Sequence, residues 1–271
     1  MHEQQVFAST YVTGGATSTI NGSVAAGTYI TTGVSATIYG NAAAGTATTL
    51  GANSMVAGSI ESGTVTTVGE GATIDSAKTE SGSPSAMTPD FDRGQQEILQ
   101  AQQFLRLFES GEVLKSGDID DTTFTAKTYG VAGHLTATEN TIITLDANHQ
   151  DSEFIFNISS NLTFGEGVTV KVINDRDGAG NEVHVSVVWN ATGGYITLGA
   201  RANVVGTLLA RGYVSTGASS TLSGPGNTCG GAVYSASSYI SIGAGATLGA
   251  GAGCTAPPPY TAPAASLGVS S

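Results

Sequence analysis

The chain has 271 residues, of which 40% are hydrophobic and only 11% are charged, and its formal net charge is −12. Its nine Lys and Arg residues are scattered without a basic stripe, which argues against nucleic-acid binding, and no apolar run approaches the length of a membrane span. The excess of small residues instead suits narrow coils around one elongated core.

The first part of the chain is a repeat. Rows begin at Tyr11, Tyr29, Ala47 and Val65, each 18 residues after the last. Glycine recurs at position five of a row, an aliphatic residue at position ten and threonine at positions three and nine, where only Met55 interrupts the position-nine series. This pattern indicates short strands between glycine corners. The predicted fold is mainly β, a roughly triangular β-solenoid with three straight sides per coil.

A helix is predicted from Pro89 to Glu109, with Thr88 as its N-cap. Its apolar stripe comprises Phe91, Ile98, Ala101, Leu105 and Phe108, widened by Leu99 and Phe104. Such a helix is about 30 Å long, which matches about six coils stacked at roughly 4.8 Å. We expect it to brace the side formed by positions thirteen to sixteen, where outward residues are mostly small; a partner-binding helix is the alternative.

Rows resume after the helix, with close copies starting at Tyr195, Tyr213 and Tyr239. An earlier row runs from Leu135 to Asp146. If this row contains two inserted residues, Thr144 is at position nine.

Eight extra residues around Pro225 to Gly231 predict a protruding loop that carries Cys229, and Cys254 follows the last row. One disulfide and two free thiols both fit this pattern. We expect one domain over residues 1–256, followed by a Pro, Ala and Ser-rich tail over residues 257–271.

The later coils resemble a known family, the large microbial ice-binding (antifreeze) proteins. The resemblance rests on LDANHQDSEFIFNISSNLTFGEGVTVKVIN and VHVSVVWNATGGYITLGARANVVGTLLARG, and covers about Thr136 to Leu248. It implies a discontinuous β-solenoid braced by a parallel helix, with coils stacked out of chain order. It also implies a secreted protein without enzymatic activity or cofactor, whose partner is the ice crystal surface and which gives thermal hysteresis and recrystallisation inhibition. We expect a monomer. No signal peptide is recognisable, so an export signal was either removed or never present.

The family's T-A/G-X-T/N pattern is only half kept. Its last position matches outward Thr or Asn residues, but its first Thr is replaced by Ala16, Val34, Glu70, Ala200, Ala218 and Ala244.

A ladder of threonines is stiff, uncharged and offers a methyl and a hydroxyl on every coil. We predict an ice-binding face along position nine, at Thr19, Thr37, Thr73, Thr144, Thr169, Asn203, Thr221 and Thr247. It is flanked at position seven by Thr17, Ser35, Asn53 and Ser219. Position three, from Thr13 to Ser241, is the rival ladder; it is more regular, but neighbouring tyrosines are expected to roughen it.

Two other classes of function compete with ice binding. A structural or adhesive solenoid that self-assembles or attaches to a cell surface is the main alternative. A carbohydrate-active enzyme ranks third, because the acidic cluster that would serve it lies in a loop and the motifs G-x-S-x-G, G-K-[ST] and C-x-x-C do not occur. We predict no catalytic or metal site: the acidic segment 175–182 is interpreted as a polar hairpin rather than a calcium loop, and the acidic cluster 118–121 has no basic residue beside it.

Overall fold

The computed structural model describes residues 5–80, 88–108, 111–225 and 231–250. The described chain forms three parallel sheets wound into a solenoid, together with one helix, α1 (Thr88–Leu107). The predicted fold class is therefore confirmed. The helix ends earlier than predicted, because Phe108 already lies outside it, and Glu109 is outside the described residues.

Each side of the solenoid is one parallel sheet. In spatial order, sheet A contains β13 (Lys78–Glu80), β10 (Ile60–Ser62), β7 (Ala42–Ala44), β4 (Ser23–Ala26), β1 (Gln5–Ala8), β29 (Val233–Ser235), β26 (Thr207–Ala210), β23 (Val185–Ala191), β20 (Ser152–Ile158), β17 (Lys127–Val131) and β14 (Glu112–Leu114). Sheet B contains β11 (Val65–Val68), β8 (Ala47–Leu50), β5 (Tyr29–Thr32), β2 (Val12–Gly14), β30 (Ile240–Ile242), β27 (Val214–Thr216), β24 (Ile196–Leu198), β21 (Leu162–Phe164), β18 (Leu135–Ala137) and β15 (Gly117–Asp118). Sheet C contains β12 (Thr73–Ile74), β9 (Met55–Val56), β6 (Thr37–Ile38), β3 (Thr19–Ile20), β31 (Thr247–Ala250), β28 (Thr221–Ser223), β25 (Asn203–Val205), β22 (Thr169–Ile173), β19 (Ile142–Asp146) and β16 (Thr123–Thr125).

The coils are stacked out of chain order, as the family resemblance implied. The first coil pairs with the last one, since β1 pairs with β29, β2 with β30 and β3 with β31. The chain thus starts in the middle of the solenoid and winds to one end at β13. It resumes at the other end with β14 and returns to the middle. We call the contact between first and last coils the joint.

The core changes in character along the solenoid. Near β14 it contains aromatic side chains, among them Trp189, which stacks on Phe156 with ring centroids 4.2 Å apart and donates its indole N–H to the Val205 carbonyl. In the 18-residue coils it contains aliphatic and small residues, among them the buried Ser18 and Ser54. Small inward side chains make these coils narrow, because the three sheets approach one another until their side chains are in contact.

The helix lies on the outer face of sheet A, the side predicted for it. Ile98 packs with Leu209 and Ala236, and the Gln102 amide donates to the carbonyls of Ala191 and Leu209. The predicted stripe is only partly buried, because Gln102 is 3% exposed whereas Phe104 is 61% exposed. Phe108 and Ala101 also face outward. The hydrophobic pattern could not indicate that the polar residue Gln102 lies on the buried face of the helix.

The long insertions of the described coils lie at the corner between sheets C and A. The loop 147–151 follows β19, the segment 174–184 follows β22, and the described chain also enters at Gln5 and leaves at Ala250 there. We call this the C–A corner, and it lies opposite sheet B in the triangular cross-section. The predicted loop around Cys229 and the last coil's Cys254 lie outside the described residues, as do residues 257–271.

Candidate functional site

Sheet B carries an unbroken outward row of hydroxyl side chains. Register-matched pairs place nine Thr or Ser residues on successive coils, and we call them the B row: Thr67, Thr49, Thr31, Thr13, Ser241, Ser215, Thr197, Thr163 and Thr136. Asp118 follows on the terminal coil. The hydroxyls of Thr197 and Thr163 are 3.3 Å apart, within hydrogen-bond distance on adjacent coils. The B row is therefore uncharged and continuous along the solenoid.

A stack of tyrosine rings borders the B row. Five rings on successive coils, which we call the tyrosine stack, have centroid spacings of 4.7–5.1 Å and lie within 8° of parallel: Tyr29, Tyr11, Tyr239, Tyr213 and Tyr195. Burial raises the pKa of Tyr11, and the neighbouring phenols of Tyr239 and Tyr29 raise it further. The five rings form an ordered border where the sequence suggested a rough one.

Sheet C carries the row that position nine predicts, with two interruptions. Its register-matched residues, which we call the C row, are Thr73, Met55, Thr37, Thr19, Thr247, Thr221, Asn203, Thr169 and Ile142. Met55 was recognised in the sequence, but Ile142 was not, and it is 43% exposed.

The assignment of Thr144 to position nine is wrong. Ile142 pairs with Thr169, so Thr144 lies two residues further along the strand and pairs with Lys171. The two inserted residues assumed in this row do not exist: Thr136 and Ile142 are six residues apart, as are Thr13 and Thr19. The extra length of the later coils lies in longer strands and in the loops of the C–A corner, which an alignment on glycine corners alone cannot locate.

Position seven forms the turn between sheets B and C. Thr17, Ser35, Asn53 and Ser219 all have positive φ values of 55–56°. The Thr17 hydroxyl donates to the Ala16 carbonyl within this turn. These predicted flanking residues thus occupy a left-handed corner beside the C row, a conformation that a β-branched residue rarely adopts. The repeated Gly, Asn and Ser at this position was the sequence signal for it.

The turn has the same length on every coil that carries both rows. Six residues separate the B-row residue from the C-row residue throughout, as in Thr31 and Thr37. By contrast, twelve residues lead from Thr19 to Thr31, but 28 lead from Thr169 to Thr197 across the C–A corner. The connections on both sides of sheet B therefore have nearly the same number of residues on every coil. Sheet C instead adjoins the corner where the long insertions lie.

Charged side chains lie in neither row but border both sheets, because the turn between them carries the ion pair of Arg201 with Glu166. On the nine coils of the B row, neither this row nor the tyrosine stack contains Asp, Glu, Lys or Arg. On sheet C, Lys171 and Asp75 are exposed beside the C row. Of the three sides, sheet A is covered by α1, sheet C carries Lys171 beside its row and adjoins the insertions, and sheet B is the most regular.

The acidic segments 175–182 and 118–121 form hydrogen-bonded turns. Arg176 and Glu182 face each other in an antiparallel bridge, and Asp177 accepts hydrogen bonds from the backbone of Ala179 and Asn181. The side-chain amide of Asn181 also donates to this carboxylate and is the largest cause of its lowered pKa; the backbone hydrogen bonds lower the pKa of Asp177 further. At the terminal coil, Asp120 accepts the backbone N–H of Thr138. Such bonds account for the acidic residues structurally.

Comparison with known proteins decides the family. The model of the ice-binding-like family matches residues 58–243, more than half of the chain. The chain belongs to the ice-binding-like family. Proteins of this family are typically extracellular and act without catalysis, with ice as their partner. No curated protein matches the chain in sequence.

Several solved ice-binding proteins have a similar fold. An ice-binding protein of the Antarctic ascomycete Antarctomyces psychrotrophicus is 15% identical, with a TM-score of 0.55 over 92% of this chain and 94% of that one. The ice-binding protein 1 domain of Shewanella frigidimarina is 14% identical, with a TM-score of 0.57 over 92% and 94%. A glycosylated ice-binding protein from an Arctic yeast is 13% identical, with a TM-score of 0.56 over 96% and 94%. At such identities the likeness concerns the fold.

No helix in the described residues is long and apolar enough to cross a membrane.

Proposed function

We propose that this chain adsorbs to ice through the outer face of sheet B, stops crystal growth where it is bound, and so gives thermal hysteresis and inhibits recrystallisation. Membership of the ice-binding-like family supports ice as the target. The observation that carries the choice of face is the B row, nine hydroxyl side chains in register without a charge between them.

The mechanism is adsorption by a preformed surface. Backbone pairing holds each coil about 4.8 Å from the next, and β-branched threonines such as Thr31 and Thr13 have restricted χ1 angles. The face therefore has little side-chain entropy left to lose when it binds a solid. Hydroxyls can join the hydrogen-bond network of water, and methyl groups hold first-shell water in place between them. No catalytic step or cofactor takes part.

The tyrosine stack supports the same face. Its five rings cover the joint, with Tyr11 and Tyr239 on either side of it. The stack thereby extends the ordered part of sheet B from the early coils onto the late ones, so that the two halves present one surface rather than two.

The C row is the second candidate face. Seven of its nine residues are Thr or Asn, among them Thr37, Thr19 and Thr221. Met55, Ile142 and the adjacent Lys171 make it less uniform than the B row. It ranks second on those grounds.

We further propose that the protein is secreted, acts as a monomer, and comprises one solenoid domain over residues 1–256 with a tail over residues 257–271. The typical extracellular location of the family supports secretion.

Nanolitre osmometry with crystal imaging tests the function, combined with sedimentation velocity on the same samples. We expect a freezing gap, shaped crystals and a single monomeric species. A folded protein that leaves ice growth and crystal shape unchanged would refute ice binding. Concentration-dependent assembly under those conditions would favour the structural or adhesive solenoid.

A further inference from the structure

The chain contains four Asn-X-Ser/Thr sequons, the acceptor motif for N-linked glycans, and the structure places none of them on a free surface loop. They are Asn21-Gly22-Ser23, Asn157-Ile158-Ser159, Asn161-Leu162-Thr163 and Asn190-Ala191-Thr192. A sequon in a secreted protein normally indicates an exposed loop. Here all four lie in or directly beside the strands of the solenoid, so their compatibility with a glycan can be judged from their contacts.

Asn190 is buried beneath α1. Its side chain is 0% exposed, and its amide donates to the Asn157 side-chain oxygen at 2.8 Å and to the Gln102 carbonyl at 3.4 Å. Its own side-chain oxygen, Oδ1, is buried without a partner. Both N–H groups of Asn190 are thus directed at partners inside a closed space.

Asn157 lies on the adjacent coil under the same helix. Its amide nitrogen donates to the Leu105 carbonyl at 2.8 Å. A sugar on this nitrogen needs the volume that Leu105 and the end of α1 occupy. Asn157 and Asn190 together hold the helix in register on sheet A, which is why the same two amides cannot also carry glycans in the folded protein.

The remaining two sequons are also engaged. Asn161 precedes β21, where its side-chain oxygen accepts the Tyr195 backbone N–H. A glycan there would stand beside the tyrosine stack on sheet B. The Asn21 amide nitrogen donates to the Gly249 carbonyl at the joint.

We infer that this chain reaches its native fold only by a route on which Asn157 and Asn190 are not N-glycosylated. Transfer of an oligosaccharide from a lipid-linked diphosphate forms a bond between the sugar C1 and the asparagine Nδ2. One N–H hydrogen is lost as a proton, and the lipid diphosphate departs. On Asn190 this removes a donated hydrogen bond and adds a branched, strongly hydrated group under the helix. Because transfer precedes folding in a glycosylating pathway, the helix then has no surface on which to dock.

The test is to secrete the full chain in parallel from a glycosylating yeast and from a bacterial periplasm. Three proteins are compared: wild type, the double variant Ser159→Ala/Thr192→Val, which removes both sequons and keeps both asparagines, and Ser159→Thr/Thr192→Ser, which keeps both sequons. Readouts are secreted yield, glycopeptide mass spectrometry and thermal unfolding followed by circular dichroism. None of these depends on ice binding.

All three proteins should fold when made in bacteria. From yeast, the sequon-free variant should be secreted several-fold better than wild type and than the sequon-keeping control, and glycans at Asn157 or Asn190 should be confined to retained, unfolded material. A glycan at either residue on secreted, cooperatively unfolding protein would overturn the inference. Equal secretion of wild type and the sequon-free variant would also overturn it if glycopeptide mass spectrometry finds the wild type glycosylated at Asn157 or Asn190 during expression in yeast.

Discussion

Tyr11 and Tyr239 stack face to face across the joint, with ring centroids 4.8 Å apart and planes 1° from parallel. One residue belongs to the first coil of the chain and the other to the last. The joint has no peptide bond across it in the described residues, so strand pairing and side-chain packing hold it together. The stack therefore bears on the stability of the solenoid as well as on the regularity of sheet B.

Removing a ring that stacks on two neighbours should cost more stability than removing the terminal ring of the stack. Tyr11 stacks on both Tyr29 and Tyr239, whereas Tyr29 stacks only on Tyr11 among the described rings. At about 0.5–1.5 kcal/mol per aromatic pair, Tyr11→Ala should lower the free energy of unfolding by about 2 kcal/mol and Tyr29→Ala by about half of that. Urea unfolding measures both. Equal losses would show that the stack does not bridge the joint energetically.

The helix should depend on a polar residue more than on its exposed aromatic ones. Gln102 is buried and donates to two carbonyls of sheet A. Gln102→Ala loses these bonds and leaves a cavity, which should cost about 2–4 kcal/mol. The neighbouring Gln103 is exposed, so Gln103→Ala should change stability by less than about 0.5 kcal/mol. Thermal unfolding distinguishes them, and a silent Gln102→Ala would mean that the helix is held by its apolar contacts alone.

Substitution at position seven should separate stability from ice binding. Thr17 adopts a positive φ that asparagine tolerates better, and Asn53 occupies the equivalent turn two coils away. Thr17→Asn should therefore raise the free energy of unfolding by about 0.5–1 kcal/mol, and Asn53→Thr should lower it by a similar amount. With sheet B as the binding face, the freezing gap should be the same in both variants once the folded fraction is matched. A gap that follows these turn residues would instead implicate the side of sheet C.

Much of the architecture was predictable because the repeat is strict. Glycine corners and period-two strands gave the solenoid, its three sides and the side on which the helix lies. Residues such as Thr19 and Thr37 share a row because their coils have equal length. The family resemblance, rather than the repeat, supplied the discontinuous coil order.

Prediction failed where the chain departs from equal coils. Thr144 was assigned two residues out of place, since nothing in a single row tells a longer strand from a longer turn. The buried Gln102 was missed because its partners are backbone carbonyls of distant strands, which carry no sequence signal. The choice between the B and C rows depends on what surrounds each of them, and the C–A corner became a neighbour of the C row only in three dimensions.

The measurement that tests the central claim most directly is the freezing gap of two matched variants, Thr31→Tyr and Thr37→Tyr. Both residues are outward threonines of the same coil, six residues apart, one in the B row and the other in the C row. A bulky ring at either site should obstruct one face and leave the core intact, which circular dichroism checks. We expect Thr31→Tyr to lose most of the gap and the crystal shaping while Thr37→Tyr keeps both. Loss only in Thr37→Tyr would contradict the assignment to sheet B and place the binding face on sheet C.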